Sequence, residues 1–196
     1  MEIQKNFFDL NYERLKGFLS KEIGIEEKKL NMRSQQIFTA VYQKNLNNFQ
    51  NLTTIPIDLR KKLNTKLSLN NLEVVETHNS SDGTKKFLVK LSDGNKVECV
   101  YIPEKKRGTI CISSQVGCSL TCTFCRSGTQ RLVKNLKPSE IISQVMLVKD
   151  ILRDWSDKRI ISNIVFMGQG EPLVNISNLK TAIQILKDKN GLNYGN

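Results

Sequence analysis

The chain has 196 residues, 39% of them hydrophobic and 25% charged, which is enough for one ordinary domain or two small ones and excludes disorder as its main state. Its 30 Lys and Arg against 19 Asp and Glu leave a net charge of +11, which favours RNA or DNA as a partner over acidic proteins or metabolites. The sequence has no run of 18 apolar residues, and Glu2, Lys5 and Asp9 stand where a signal peptide would be apolar. These features predict a cytoplasmic protein without a membrane partner.

The first 75 residues have the pattern of a small helical domain. Asn11 is a candidate N-cap, the apolar residues after it keep helical spacing as far as Ile23, and Gly24 suits the position just past the helix end. A second helix is predicted around residues 37–42, and a third that Pro56 opens and that carries Leu59, Leu63 and Leu67.

Two segments with alternating apolar residues, 87–91 and 97–102, predict a β-hairpin. The Asp93-Gly94 pair between them is typical of a tight hairpin turn. The charged segment that follows interrupts the pattern, and we place a domain boundary there. The sequence therefore predicts an accessory domain over residues 1–103, helical with a hairpin and a candidate for RNA recognition, and a second domain over residues 104–196.

The second domain alternates strands and helices. A strand over residues 109–113 precedes a long loop, a helix follows from Pro138, residues 160–167 read as a buried strand, and Ser177 is the candidate cap of a last helix. This order predicts an α/β fold with parallel strands and right-handed crossovers. Because two such units cannot close a barrel, the chain has the pattern of one that is cut short.

Four of the five cysteines lie within 15 residues, in a chain without an export signal, which favours metal or redox chemistry over a disulfide framework. Cys118, Cys122 and Cys125 share one loop and can converge on a single inorganic centre. Zinc would need Cys111 or His78 as a fourth ligand. A [4Fe-4S] cluster held by three thiolates would instead leave one iron open for reaction.

The cysteine spacing, with the aromatic Phe124 before the last thiol, resembles the signature of radical S-adenosylmethionine enzymes. Three further motifs, VECVYIP at 97–103, CISSQVGC at 111–118 and MGQGEPL at 167–173, resemble the RlmN/Cfr family of RNA methyltransferases. The resemblance spans nearly the whole chain. It implies a partial TIM-type barrel of the radical S-adenosylmethionine type, of which only the first βα units are present, behind the accessory domain.

The resemblance also implies roles for individual residues. It makes Cys118, Cys122 and Cys125 the ligands of a [4Fe-4S] cluster. The residues that it implies for binding S-adenosylmethionine are Phe124, Gly170 and Glu171.

In this family a cysteine carries the methyl group to the RNA base, and a second cysteine releases the product by forming a disulfide with the first. Cys111 matches the second of these, and Glu98 matches the proton acceptor. No cysteine of the chain matches the methyl carrier, which we expect beyond Asn196. The implied reaction is methylation of C2 of adenine in 23S rRNA, at the peptidyl-transferase centre, and in tRNA, by a monomer that receives electrons from a flavodoxin or ferredoxin.

Three other functions stay open at this point. The chain could be a Cfr-like adenine-C8 methyltransferase, an inactive truncated remnant, or a zinc-stabilised RNA-binding module.

Several of the named residues also have ordinary interpretations. Glu98 alone would be an exposed strand carboxylate, Phe124 a core aromatic, Cys99 a small buried hydrophobe and His78 a solvated loop residue. Basic residues flank the cysteine loop and predict a patch that follows an RNA backbone. They are Arg126, Arg131, Lys134 and Lys137.

Overall fold

The computed structural model describes residues 4–69, 72–105, 107–156 and 158–195. The chain divides into two compact units, the first formed by Met1–Asn70 with Thr181–Asn196 and the second by Asn71–Lys180. No helix in the described ranges is long and apolar enough to cross a membrane.

The first unit contains the predicted helices α1 (Tyr12–Phe18), α2 (Glu27–Gln43) and α3 (Ile57–Lys66). The side chain of Asn11 accepts a hydrogen bond from the backbone N–H of Arg14 at 2.9 Å, as expected for an N-cap. After α1 the chain continues in a π-helical turn, and Gly24 ends it with φ of 80°. The sequence signals for the start and end of this segment are therefore confirmed.

A cluster of aromatic side chains forms the core of the first unit. Phe7, Phe38, Tyr42 and Phe49 are buried, and the ring centroids of Phe38 and Tyr42 lie 4.6 Å apart. Two short strands that the sequence did not predict, β1 (Lys5–Asn6) and β2 (Leu67–Ser68), pair in parallel beside them. Leu67, expected in the third helix, begins β2 because the helix ends one residue earlier.

The second unit is built on a five-stranded sheet with the order β3-β4-β5-β6-β9. All neighbours pair antiparallel except β6 and β9, which are parallel. A small antiparallel pair, β7 with β8, lies outside this sheet. The strands are β3 (Glu73–Asn79), β4 (Lys85–Lys90), β5 (Lys96–Pro103), β6 (Gly108–Cys111), β7 (Gln115–Val116), β8 (Lys134–Asn135) and β9 (Ile161–Val165).

The predicted hairpin is confirmed as β4 and β5, with Gly94 at φ of 86° in the turn. The strand β3 was missed, because its residues are mostly exposed and lack an alternating apolar pattern. His78, predicted in a loop, lies on this strand, where its side chain is exposed and 2.8 Å from Glu76.

The domain boundary expected between residues 103 and 104 differs from the division in the structure. Strand β5 pairs with β6, with Tyr101 opposite Ile110, so the hairpin belongs to the same sheet as the strands of the predicted second domain. The observed division falls after Asn70 and within α5 (Ile176–Lys187). The charged residues after β5, among them Glu104 and Arg107, thus lie between the paired strands β5 and β6.

The predicted order of strand, helix, strand and helix is confirmed, with α4 (Pro138–Leu152) between β6 and β9. Glu140 in the first turn of α4 accepts a hydrogen bond from the backbone N–H of Lys137 at 2.9 Å. Strand β9 was expected to be buried throughout, but only Ile161 is buried, because β9 is the last strand in the order of the described sheet. Ser177, expected to cap α5, lies inside it.

Lys134 joins the hairpin turn to the start of α4. Its ammonium contacts the carboxylate of Asp93 and lies 2.6 Å from Glu140 Oε1. The hydrogen bond from Lys134 lowers the pKa of Asp93 from 3.8 to about 2.

We expect Asp93→Asn to reduce the free energy of unfolding above about pH 4 by roughly 1 kcal/mol or less, since this partly exposed pair is screened by solvent. The pKa of Asp93 is lower in the folded state, so its contribution is complete above the unfolded pKa and is lost as the pH falls towards about 2. Urea unfolding over this range should give a flatter pH dependence for the variant than for the wild type. Parallel curves would contradict the assignment.

Candidate active site

Two loops lie beyond the carboxyl ends of the parallel strands β6 and β9 and meet at that end of the sheet. The cysteine loop, residues 117–131, lies between β7 and β8, and the glycine loop, residues 167–171, follows β9. Backbone hydrogen bonds connect the glycine loop to the segment between β6 and β7. Gly168 N–H donates to the carbonyl of Ile112 at 3.1 Å, and Ser114 N–H donates to the carbonyl of Gln169 at 2.9 Å.

The cysteine loop is tied by its own backbone. Cys125 N–H donates to the carbonyl of Cys122 at 3.1 Å, and Gly128 N–H donates to the carbonyl of Cys125 at 3.0 Å. A Cβ at position 128 would lie 2.7 Å from the carbonyl oxygen of Cys122, so only glycine allows this close approach. The base of the loop is closed by Cys118 N–H, which donates to the carbonyl of Gln130 at 3.1 Å.

The three cysteines expected to bind the cluster are half-buried, and all five cysteines of the chain are free thiols. Among the described residues, no three His, Cys, Asp or Glu side chains are gathered closely enough to hold a metal ion. The chemistry of the donor set nevertheless fits an iron–sulfur cluster, because Cys118, Cys122 and Cys125 are soft ligands on one irregular loop. His78, one of the two candidates for a fourth zinc ligand, lies on β3, where its Nε2 is 2.8 Å from Glu76 Oε1.

Phe124 lies in the cysteine loop, and 92% of its surface is exposed. The ordinary interpretation as a core aromatic is therefore wrong. An exposed aromatic ring directly before Cys125 in the chain is available for stacking on a base or nucleoside. Its assignment to the adenosyl group of S-adenosylmethionine stays a prediction.

The two glycines of the glycine loop allow it to pack directly on the segment after β6. A Cβ at Gly168 would lie 2.7 Å from Ser113 Oγ. Gly170 has φ of 93°, and a Cβ there would lie 2.6 Å from Gln115 Cγ. The Gly-x-Gly pattern is thus required by close packing as well as by backbone conformation.

Glu171 is half-buried and is held at both its backbone and its carboxylate. Its N–H donates to the side-chain oxygen of Gln115 at 2.9 Å, and its Oε1 accepts a hydrogen bond from Leu173 N–H at 3.0 Å. The carboxylate therefore has a fixed orientation at the start of the short helix Pro172–Asn175.

Glu98 and Cys111 lie on the same face of the sheet. Cys111 is opposite Val100 in the β5–β6 register, and Glu98 precedes Val100 by two residues. The Glu98 carboxylate is half-exposed and lies 3.2 Å from Lys86 Nζ.

Burial raises the pKa of the Cys111 thiol, which favours the neutral thiol at neutral pH. Cys99 is fully buried, and burial raises its pKa to about 12, so its interpretation as a small hydrophobe is confirmed.

Buried polar residues under the two loops were missed in the sequence analysis. Ser113 Oγ donates to the carbonyl of Glu98 at 2.6 Å and accepts from Gln169 N–H at 2.9 Å. Gln144 in α4 accepts from Ser113 N–H at 2.8 Å, and Asn175 donates to the carbonyls of Ser114 and Leu136. The run Ser-Ser-Gln directly after an apolar strand was the available signal, because polar side chains beneath loops need buried partners.

The predicted basic patch is smaller than expected. Lys134 is paired with two carboxylates, which leaves Arg126, Arg131 and Lys137 as its exposed members near the cysteine loop.

A family profile matches the N-terminal part of the chain, and two relatives match most of its length. The family profile "Ribosomal RNA large subunit methyltransferase N-terminal domain" matches residues 5–69. The chain is 44% identical over 194 residues to the "Dual-specificity RNA methyltransferase RlmN" of Ruegeria sp. (strain TM1040), an alignment that covers 95% of this chain and 49% of that protein. It is 47% identical over 179 residues to the protein of the same name from Jannaschia sp. (strain CCS1), covering 87% of this chain and 46% of the relative.

A solved structure also matches. The crystal structure of a radical SAM methyltransferase from Sphaerobacter thermophilus superposes with a TM-score of 0.83 at 33% identity, covering 97% of this chain and 54% of that chain. The chain thus spans about half the length of the relatives that it matches.

Proposed function

Since the chain belongs to the RlmN family, we propose that it supplies the cluster-binding and S-adenosylmethionine-binding part of an adenine methyltransferase acting on RNA. The observation that carries the proposal is the contact between the loop with three free thiols and the loop with Glu171. Gln169 Nε2 in the glycine loop donates to Gln130 Oε1 in the cysteine loop at 3.0 Å, and both loops also bond to Gln115 Oε1. The two loops are expected to hold the two cofactors side by side.

Cys118, Cys122 and Cys125 would hold a [4Fe-4S] cluster, with S-adenosylmethionine bound by Glu171 and Gly170. When bound, the cluster supplies an open iron for S-adenosylmethionine and the electron that cleaves its carbon–sulfur bond. Adenine C2 is electron-poor and has no lone pair, so direct displacement on the methyl sulfonium would fail there. This is the physical reason for radical chemistry in such an enzyme.

Glu98 and Cys111 are the proposed groups for the later steps. Glu98 would accept the proton that leaves the base. Cys111 would form a disulfide with the sulfur of the cysteine that carries the methyl group, which is none of the five in this chain, as the bond from that sulfur to the transferred carbon breaks and its electron pair and the thiol proton pass to the product. Burial raises the pKa of Cys111, which favours the neutral thiol at neutral pH. Their position on one face of the sheet is consistent with two groups that serve the same substrate.

The proposed substrates are 23S rRNA and tRNA, with methylation at C2. The net charge of +11 favours a polyanionic substrate, and the relatives are named dual-specificity RNA methyltransferases. An external flavodoxin or ferredoxin would supply the electron. Methylation at C8 is the alternative to be tested.

We expect expression of the whole reading frame that contains this chain, in a host lacking its own enzyme, to produce 2-methyladenosine in 23S rRNA and tRNA. Glu98→Gln should lower the yield at least about 100-fold, because a carboxamide cannot accept the proton. Mass spectrometry of digested RNA measures both 2-methyladenosine and 8-methyladenosine.

Glu76→Gln, an exposed glutamate on the same sheet, is the matched control and should methylate as the wild type does. The appearance of 8-methyladenosine alone would assign the Cfr-like activity. An absence of both products with the wild-type gene would contradict the proposal.

A further inference from the structure

A buried side chain connects the cysteine loop to the glycine loop, in addition to the exposed hydrogen bond that Gln169 Nε2 donates to Gln130 Oε1 at 3.0 Å. The Oε1 of Gln115, which is fully buried, accepts hydrogen bonds from Glu171 N–H at 2.9 Å and from Ser119 N–H at 3.2 Å. Its Nε2 donates to Asn135 Oδ1 at 2.7 Å. Ser119 directly follows the first proposed cluster ligand, Cys118. We propose that Gln115 is a positioning residue that sets the separation of the two loops, an inference that rests on the proposed function.

The aliphatic part of Gln115 carries a second, independent constraint. It occupies the space that a Cβ at Gly170 would need, and Gly170 is held at φ of 93°. The glycine loop therefore rests on the stem of Gln115 while its amide oxygen fixes the next N–H along the loop. A hydrogen bond and a packing contact with Gln115 thus both fix how close the glycine loop lies to this side chain.

The position of Gln115 in the fold explains why it can act on both loops. It forms β7 with Val116, and β7 is followed directly by the cysteine loop. Its own backbone N–H donates to the carbonyl of Gln169 at 3.2 Å, so the residue is also anchored to the glycine loop through the main chain. Because S-adenosylmethionine would be bound by both loops at once, their separation determines how well the cofactor fits.

Gln115→Leu tests the inference, since leucine has a similar size but cannot accept a hydrogen bond. Gln115→Glu keeps an acceptor oxygen for Glu171 and Ser119 and replaces the Nε2 donor by a second acceptor, so it should preserve the link, with the Asn135 amide turned to donate. Ser34→Ala is the control. Ser34 is also fully buried, but it lies in α2 of the first unit, where its Oγ donates to the carbonyl of Leu30 at 2.8 Å.

The first measurement is hydrogen exchange of the cluster-free protein. In Gln115→Leu the amides of Ser119 and Glu171 should exchange at least about tenfold faster than in the wild type, because each loses a buried acceptor. In Gln115→Glu and Ser34→Ala they should exchange at close to the wild-type rate. Slow exchange in Gln115→Leu would overturn the inference, and so would fast exchange in Gln115→Glu if the leucine variant does not fold.

The second measurement is the electron paramagnetic resonance spectrum of the reduced cluster, titrated with S-adenosylmethionine. Gln115→Leu should take up wild-type amounts of iron but need about tenfold more S-adenosylmethionine for the spectral change. An equal weakening in Ser34→Ala would show a general loss of stability and overturn the positioning role. A wild-type protein that takes up no iron would contradict the proposed function, while the exchange experiment would still decide whether Gln115 links the loops.

Discussion

Replacement of Cys122 by alanine is expected to reduce the iron content after anaerobic reconstitution from about four to below one per chain. The contribution of Cys122 to the loop is through its backbone carbonyl, which accepts from Cys125 N–H and packs against Gly128, so alanine leaves the turn intact. The loss therefore reports the missing thiolate. Iron and sulfide analysis, together with the visible absorption of the cluster, measures it.

Cys99→Ala is the matched control for this prediction. Cys99 is a free thiol like Cys122, but it is fully buried on β5, and its raised pKa keeps it from acting as a thiolate ligand. We expect this variant to bind iron as the wild type does. A Cys122→Ala protein with full iron and sulfide content would refute the assigned ligand set, and bound zinc without iron in the wild type would favour the RNA-binding module.

Elements with strong local signals could be predicted from the sequence. The helix α4 has Pro138 at its first position, Glu140 in its first turn and a continuous apolar face, and the β4–β5 hairpin has an Asp-Gly turn between alternating strands. In both cases neighbouring residues are sufficient to define the structure.

Elements that depend on distant partners could not be predicted. Strand β3 is extended because it pairs with β4, while most of its own side chains are exposed and carry no alternating pattern. The expected domain boundary differs from the observed division for a related reason. The charged residues after β5 carry no signal that β5 pairs with β6. Local composition predicts a turn, but it does not show that the strands on either side of that turn pair in one sheet.

The candidate site shows the same division. The spacing of Cys118, Cys122 and Cys125 was enough to select the loop and to predict its chemistry. The link from Gln115 to Glu171 joins residues 56 positions apart, and it exists only because β6 and β9 lie side by side. Polar residues that hold two loops together are thus visible in the structure and not in the sequence motif that contains them.

A buried ion pair stabilises the turn between α4 and β9. Lys149 and Asp154 are 6% and 1% exposed, and Lys149 Nζ lies 3.2 Å from Asp154 Oδ2. The Asp154 carboxylate also accepts from the backbone N–H groups of Ile160 at 2.6 Å and Ile161 at 3.2 Å. It therefore connects the end of the helix to the first residue of β9.

We expect Asp154→Ala to lower the free energy of unfolding by about 3–5 kcal/mol, because it takes the carboxylate from a buried ammonium, which keeps its bond to the backbone carbonyl of residue 154, and removes the acceptor of two backbone N–H groups. Glu104→Ala, which breaks the exposed pair with Arg107, is the control and should cost about 1 kcal/mol or less. Urea unfolding at about pH 7 measures both. A loss as small as that of the control would contradict the role assigned to the buried pair.

The pH dependence gives this prediction a second, independent readout. Burial already lowers the pKa of Lys149, and the attraction of Asp154 opposes that shift, so removing Asp154 should lower the pKa further. Between this folded pKa and the unfolded value of 10.5, the unfolded chain binds more protons, and stability rises with pH. The wild type gains in the same way only above its own, less lowered pKa, so the deficit of Asp154→Ala should shrink as the pH rises from the folded pKa of the variant to that of the wild type. A deficit that is constant or grows would mean that the missing hydrogen bonds to β9, and not the unpaired ammonium, account for the loss.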